Sequence, residues 1–122
     1  YEKNKWYSIQ SMSECRSGAG YDLGWDGCIY SAGGSCDGLL GSNTIERYDP
    51  RMNKWSLLPT TMKEKRGYVG ASFDSSGTIL HIAGGIDNDS LKNSIEWYDI
   101  RMNKGGYIVE NSNEDDINNQ RA

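Results

Sequence analysis

The sequence predicts an all-β chain made of two four-stranded antiparallel units and one extra strand. Three observations lead there. The first is an internal repeat of about fifty residues: Met12 recurs as Met62, Arg16 as Arg66, Gly20 as Gly70, Asn43 as Asn93, and Ile45-Glu46 as Ile95-Glu96. Tyr48-Asp49 returns as Tyr98-Asp99, and the run Arg51-Met52-Asn53-Lys54 returns whole as Arg101-Met102-Asn103-Lys104. The second is that each copy breaks into short apolar runs separated by turn signals such as Asp49-Pro50 and Asp74-Ser75-Ser76-Gly77. The third is that no stretch keeps apolar residues at helical spacing beyond two turns. Fifteen glycines against two prolines agree with many tight turns.

A chain of 122 residues suffices for one small domain and not for two. Residues 1–14 contain Asn4-Lys5-Trp6, and the same triplet returns as Asn53-Lys54-Trp55, so residues 6–12 are expected to be the outer strand of a preceding unit. The first copy, residues 15–62, holds runs at 18–23, 28–32, 44–49 and 55–58. The second, residues 63–109, holds runs at 68–73, 78–83 and 94–99, with 87–93 read as a loop. Its last strand is expected to be degenerate, because Gly105 stands fifty residues after Trp55. Tyr107-Ile108-Val109 is the candidate for a shifted strand, with Tyr107 standing in for the tryptophan. Connections this short make neighbouring strands antiparallel. Residues 110–122, rich in Asn, Asp and Glu, read as a disordered tail.

One landmark runs out of step. The doublet Gly33-Gly34 returns as Gly84-Gly85, at a spacing of 51, because the segment before it is one residue longer in the second copy and the loop after it one shorter. Compensating slips of that kind fall in loops, which places strands on either side.

The order of landmarks carries a resemblance. Arg16-Ser17-Gly18-Ala19-Gly20, then Cys28-Ile29-Tyr30-Ser31-Ala32-Gly33-Gly34, then Thr44-Ile45-Glu46-Arg47-Tyr48-Asp49-Pro50, then Asn53-Lys54-Trp55, resembles a kelch repeat of the BTB/Kelch protein family, over residues 4 to 104. Four strands in about fifty residues is the period of a kelch blade. The resemblance implies about two blades of a β-propeller and an orphan strand, hence a partial propeller. Such a chain is a fragment or truncated product of a longer ring, or completes itself by association. Rings of this family often close by mixing strands from both chain ends, a use open to residues 6–12. In a blade covered on both faces, the rings of Tyr48, Tyr98 and Trp55 are expected to lie across the flat doublets Gly33, Gly34, Gly84 and Gly85.

Charge and cysteine usage narrow the function. The net charge of −4 concentrates beyond residue 109, which leaves a near-neutral body with no general attraction for nucleic acid or an anionic membrane. No apolar run is long enough to span a bilayer, and no signal peptide is recognised. Cys15, Cys28 and Cys36, without a CxxC pair, read as free thiols in a reducing cytosol, which implies a cytoplasmic protein, with a redox-sensing thiol and a secreted disulfide as the lesser alternatives. His81 is the single histidine and lies in an expected strand, so no metal site is expected. Asp87-Asn88-Asp89-Ser90 lacks the central glycine and the twelfth-position glutamate of a calcium loop and reads as a solvated turn. No nucleophile elbow or phosphate-cradling loop is present. No catalytic residue and no cofactor are expected, and enzyme status is not expected either.

Binding is the better expectation. Arg16 and Arg66 stand in equivalent loops entering the first strand of each copy, and guanidiniums converging there would favour an acidic peptide by bidentate pairing. The resemblance implies that this arginine position and the small polar residue ahead of the third strand contact partner peptides. In this sequence those are Arg16, Arg66, Thr44 and Ser94, with Ser17, Ser35, Asp37, Asn43, Asp87 and Asn93 in the loops beside them. The competing reading is structural, with each arginine paired to a neighbouring blade. The resemblance further implies a protein-interaction module that acts as substrate-recognition domain of a cullin-type ubiquitin ligase adaptor, any cullin component being met through other domains. Actin or cytoskeletal binding is the alternative, and a kelch-type propeller enzyme is the competitor from another class.

Overall fold

The computed structural model describes residue 6 and residues 8–109. The chain forms β1 (Gly20–Leu23), β2 (Ile29–Ala32), β3 (Ile45–Asp49) and β4 (Lys54–Leu57), then β5 (Gly70–Phe73) and β6 (Ile79–Ala83). A small hairpin follows, β7 (Ile86–Asp87) and β8 (Ser90–Leu91), before β9 (Ile95–Asp99) and β10 (Lys104–Val109). Two four-stranded sheets result, in the orders β1-β2-β3-β4 and β5-β6-β9-β10, and every pairing is antiparallel. Among the described residues there is no helix. The two blades expected from the repeat are both present.

The repeated run after each third strand is turn chemistry. Asn53 and Asn103 take the left-handed conformation, at φ 48° and 53°, which asparagine tolerates better than most residues. Each Asn side chain then accepts the hydroxyl of the preceding tyrosine, Tyr48 at 2.8 Å and Tyr98 in the second copy. Asp49 and Asp99 accept the backbone N–H of Arg51 and Arg101 at 3.0 and 2.9 Å. One short motif therefore fixes both β3–β4 and β9–β10.

The core lies between the sheets. Tyr30, Ala32 and Ile45 from the first sheet pack with Leu80, Ile82 and Tyr98 from the second, joined by Cys28, Met62 and Val69. Tyr30 meets Phe73 edge-on at 5.4 Å between ring centres. Backbone bonds cross the same seam: Gly34 N–H to the Arg66 carbonyl at 2.8 Å, Val69 N–H to Gly18 at 3.0 Å, and Trp25 N–H to Gly77 at 3.0 Å. Asp22 adds a side-chain acceptor for the Phe73 N–H at 2.8 Å. These bonds satisfy backbone groups on strand edges that the burial would otherwise strand without partners.

Several expectations are corrected. Residues 8–12 form no strand, and Trp6 stands fully exposed. Residue 10 is instead pinned beside β4 by side-chain bonds, Gln10 N–H to Asn53 at 3.0 Å and Trp55 N–H to Gln10 at 2.6 Å. Residues 1–5 and 7, and the expected tail at 110–122, lie outside the described residues. The last strand is present and opens in the same register: Gly105 faces Tyr98 as Trp55 faces Tyr48, and Tyr107 faces Glu96 as Leu57 faces Glu46, before a bulge between Tyr107 and Val109. Tyr107 therefore does not replace the tryptophan, and its hydroxyl donates to Glu64 at 3.2 Å. The loop at 87–93 contains β7–β8, closed by Asn88 and Asp89 at φ 49° and 65°, a two-residue turn whose twist suits a hairpin.

The doublets and the cysteines also differ. Among the described residues, none of the nearest atoms that a Cβ on these glycines would meet belongs to a ring. A Cβ on Gly33 would strike the Arg66 carbonyl, one on Gly34 would sit 2.9 Å from the Arg16 Cβ, and one on Gly85 would sit 2.7 Å from the Gly67 carbonyl. The doublets, all at positive φ, make room for the arginine-bearing segments, while Tyr48 packs on Trp55 at 5.1 Å near the opposite end of β3. Cys15 and Cys36 are joined in a disulfide, with Cα atoms 5.1 Å apart, and only Cys28 is a free, buried thiol. The free-thiol expectation fails for two of the three because the fold brings two loops 21 residues apart in sequence into contact.

Candidate interaction face

Antiparallel pairing puts the N-termini of β1 and β3 and the C-terminus of β2 at one end of the first blade. The equivalent ends of β5, β9 and β6 stand at the same end of the second. All ten residues expected to meet a partner lie in the loops there. Isolated bridges Ser17–Ser35, Ser35–Gly41, Ser42–Arg66 and Gly67–Ile86 lace these loops together.

The arginines are not offered to a partner. The Arg16 side chain is 0% exposed. Its Nε donates to Glu46 at 2.9 Å, Nη1 to the Gly33 and Thr44 carbonyls at 2.7 and 3.1 Å, and Nη2 to the Thr44 hydroxyl at 2.6 Å. Arg66, also 0% exposed, repeats the pattern on Glu96 at 2.9 Å, the Gly84 and Ser94 carbonyls at 2.8 and 3.1 Å, and the Ser94 hydroxyl. A second carboxylate stands near each guanidinium, Glu14 at 3.8 Å and Glu64 at 3.7 Å. Arg16, Arg66, Thr44 and Ser94 thus form an internal clamp inside each blade. Neither arginine pairs with the neighbouring blade through its side chain, and the route to an acidic peptide through these guanidiniums is closed.

The clamp explains the doublet. The first glycine's carbonyl accepts the guanidinium, and the second glycine lets the arginine backbone pass. Burial pushes the Glu46 carboxyl up, but the Ser13 N–H and hydroxyl and Arg16 outweigh it and hold the group below its ordinary value. Glu64 is lowered in the same way, burial being outweighed by bonds from Ser94 and Lys92.

The remaining expected residues shape the loop surface. Ser35 is buried and accepts the Gly38 N–H at 2.9 Å, and Asp37 accepts the Leu39 and Leu40 N–H groups at 2.9 Å each. Those backbone bonds from Leu40 and Leu39 hold the Asp37 carboxyl low. Asp87 accepts the Gly41 N–H at 2.9 Å, and Asn88 N–H donates to the Leu39 carbonyl at 2.8 Å, so the second blade's hairpin braces the first blade's loop. Ser17 and Asn93 are exposed, and Asn43 lies partly buried. Ser35, Asn43 and Thr44 share a hollow of about 310 Å³ with Glu14, Lys65 and Leu40.

Sequence reasoning missed the apolar side of this face. Leu39, Leu40, Tyr68 and Leu91 are all exposed there. Tyr68 sits at φ 50°, an uncommon place for a bulky residue, and its ring covers Gly18, where a Cβ would come within 2.6 Å of it. The Leu39-Leu40 pair, in a loop too polar at its edges to be read as a strand, was the available signal. Among the described residues no group of three or more His, Cys, Asp or Glu is placed to hold a metal ion.

Comparison with known proteins agrees with this geometry. The Kelch motif family model matches residues 24–62, the stretch that runs from the β1–β2 turn to Met62 and holds Gly33, Thr44 and Glu46, the partners of Arg16. Residues 24–62 carry a Kelch motif. The chain is similar to part of human Kelch-like protein 23, at 39% identity over 66 residues, and of the Pongo abelii Kelch-like protein 23, at 41% over 68. Each match takes in 51% of this chain and 12% of the relative's length. The solved structure titled "Structure of YjhT" superposes with a TM-score of 0.73 over 88% of this chain and 42% of that one, at 16% identity, a likeness of fold. Kelch repeats and Kelch-like relatives support a protein-interaction module.

Proposed function

We propose that this kelch domain meets a protein partner with the loops at the doublet end. The observation that carries the reading is the set of exposed apolar side chains, Leu39, Leu40, Tyr68 and Leu91, on loops held by the disulfide and by the Asp87 and Asn88 bonds. Apolar tips on a braced scaffold lose little conformational entropy on binding. Ser17, Asp37, Asn43, Asp87 and Asn93 form the polar rim. Arg16, Arg66, Thr44 and Ser94 set the loops in place from beneath. The partner therefore contributes apolar side chains rather than a row of carboxylates.

In its finer form the partner is a substrate delivered to a cullin-type ubiquitin ligase, a role supported by the resemblance to BTB/Kelch proteins. The test is comparative. Proteins cross-linked to the wild-type chain are identified by mass spectrometry and titrated against Leu39→Asp/Leu40→Asp and against Met52→Asp, an exposed change at the far end. The reading expects affinity to fall by about tenfold or more for the loop variant, as for interface anchors, with unchanged melting, and to hold for Met52→Asp. Partners retained equally by the loop variant would overturn it.

A further inference from the structure

The position two residues after the clamp arginine is filled differently in the two copies. Gly18 holds it in the first at φ 68° and Tyr68 holds it in the second at φ 50°, so the backbone is left-handed in both. Glycine takes that conformation without a steric penalty, whereas a bulky side chain there is an outlier. Burial does not repay the difference, because Tyr68 remains 54% exposed. Its ring crosses the seam onto the first blade: a Cβ on Gly18 would meet the ring, and a Cβ on Gly38 would stand 3.5 Å from the hydroxyl. Strained residues of this kind collect at functional sites, and tyrosine is among the side chains that most often anchor an interface.

The surroundings of the ring carry one sign of charge. Gly38 is flanked by Asp37 and Leu39, and the Leu39 carbonyl accepts the Asn88 N–H at 2.8 Å, which brings the turn of the β7–β8 hairpin against the same loop. Asp37 and Asp89 are exposed and Asp87 is half-buried. The cations of these loops are engaged to one side. Arg16 and Arg66 are buried on Glu46 and Glu96, Lys92 lies 3.3 Å from Glu64, and Lys65 shares its hollow with Glu14. Lys63 is exposed on a segment that its N–H ties to Glu96. Tyr68, Leu39 and Leu40 therefore form an apolar patch bordered by aspartates, and since Tyr68 and Asn88 come from the second blade and Gly38 and Leu39 from the first, the patch is built by the seam itself.

We propose that this patch binds a basic segment of a partner protein, an arginine or lysine lying over the Tyr68 ring with its charge facing Asp37 and the hairpin aspartates, and apolar neighbours resting on Leu39 and Leu40. This sign of charge rests on the doublet end being the interaction face. A cation is drawn to the face of a phenol ring, and carboxylates at the border steer and orient its arrival. The sign is the reverse of the one expected from Arg16 and Arg66, whose charges the clamp cancels. Salt screens exposed charges, so the attraction weakens as ionic strength rises.

The test uses two libraries of short displayed peptides, alike in Leu, Phe, Ser and Gly, one carrying Arg and Lys and the other Asp and Glu, each selected on the full chain. Enriched sequences are titrated as synthetic peptides against the wild type and three variants. Asp37→Asn/Asp87→Asn/Asp89→Asn removes charge while each amide keeps an accepting oxygen, and asparagine suits the left-handed turn at Asp89. Tyr68→Gly restores the residue of the first copy, with Tyr68→Asn, also at ease at positive φ, in reserve where glycine loosens the loop. Leu39→Ser/Leu40→Ser removes the apolar tips. The basic library is expected to enrich on the wild type, with affinity about tenfold lower in each variant and lower at high salt, while the Tyr68 variant melts no lower than the wild type. Enrichment of the acidic library, of both equally or of neither would overturn the proposal. So would basic peptides that the aspartate and Tyr68 variants bind undiminished, as peptides held by the acidic residues beyond Val109 would be, or a Tyr68 variant that melts lower and still binds, which would assign the ring to the fold. Acidic peptides lost in Leu39→Ser/Leu40→Ser would overturn the sign and leave the interaction face standing, whereas peptides of either library indifferent to that variant would overturn the face as well.

Discussion

Arg16 and Arg66 each stand at the centre of a closed set of bonds, and that decides what they do. A guanidinium that donates to two backbone carbonyls, a hydroxyl and a carboxylate has exhausted its fork geometry inside the blade. Removing it strands Glu46 or Glu96 as a buried, uncompensated charge. Arg16→Ala and Arg66→Ala are each expected to lower unfolding free energy by about 3–5 kcal/mol, the cost of breaking a buried pair on one side. Replacing both partners, as in Arg66→Met with Glu96→Gln, is expected to recover most of that loss, since the glutamine still accepts the Lys63 N–H that Glu96 holds at 2.5 Å. Denaturant titrations of the three variants check this. A single-site cost below about 1 kcal/mol, the ceiling for an exposed pair, would contradict the internal clamp. The sequence reading saw both arginines and both glutamates recur in step, but it had no means of pairing residues thirty positions apart, which is why the guanidiniums were expected at the surface.

At the scale of the strands and turns, the repeat was a faithful guide wherever local chemistry decides. The tyrosine, asparagine and aspartate of each third-strand turn are local, and both copies fold alike. The reading failed where a distant neighbour decides. Residues 8–12 were expected to pair as a strand, yet the edge of β4 meets them through Gln10 and Asn53 side chains. The β7–β8 hairpin was hidden because two strands of two residues each carry too few positions for alternation to be seen. The doublets are the most informative elements, since identical local sequence meets different surroundings. Gly84→Ala is expected to cost about 1–2 kcal/mol in dilute solution, the left-handed penalty alone. Gly33→Ala adds a collision with the Arg66 carbonyl and is expected to cost about 1–3 kcal/mol more, as overpacking does. Equal effects in chemical denaturation would mean that the seam between blades is looser than described.

On the scale of the whole molecule, two kelch blades share one core and act as one unit. Neither sheet buries both its faces alone, and Tyr30, Ala32 and Ile45 share one buried cluster with Leu80, Ile82 and Tyr98 of the other blade. The class, the blade count and the place of the loops were legible in the repeat. The apolar loop tips and the Cys15–Cys36 link were not, because they depend on how the loops of two blades come together at one end. The functional reading depends on the same seam, since it carries the Asp87 and Asn88 bonds that brace the first blade's loop against the second. Residue-resolved hydrogen exchange measures that seam directly, at the amides of Gly34, Val69 and Phe73, whose acceptors all lie across it. The account predicts that these three exchange as slowly as the paired amides between β2 and β3, through a common global opening. Exchange at loop rates while the β2–β3 amides stay protected would contradict it, and would make the blades two independent sheets.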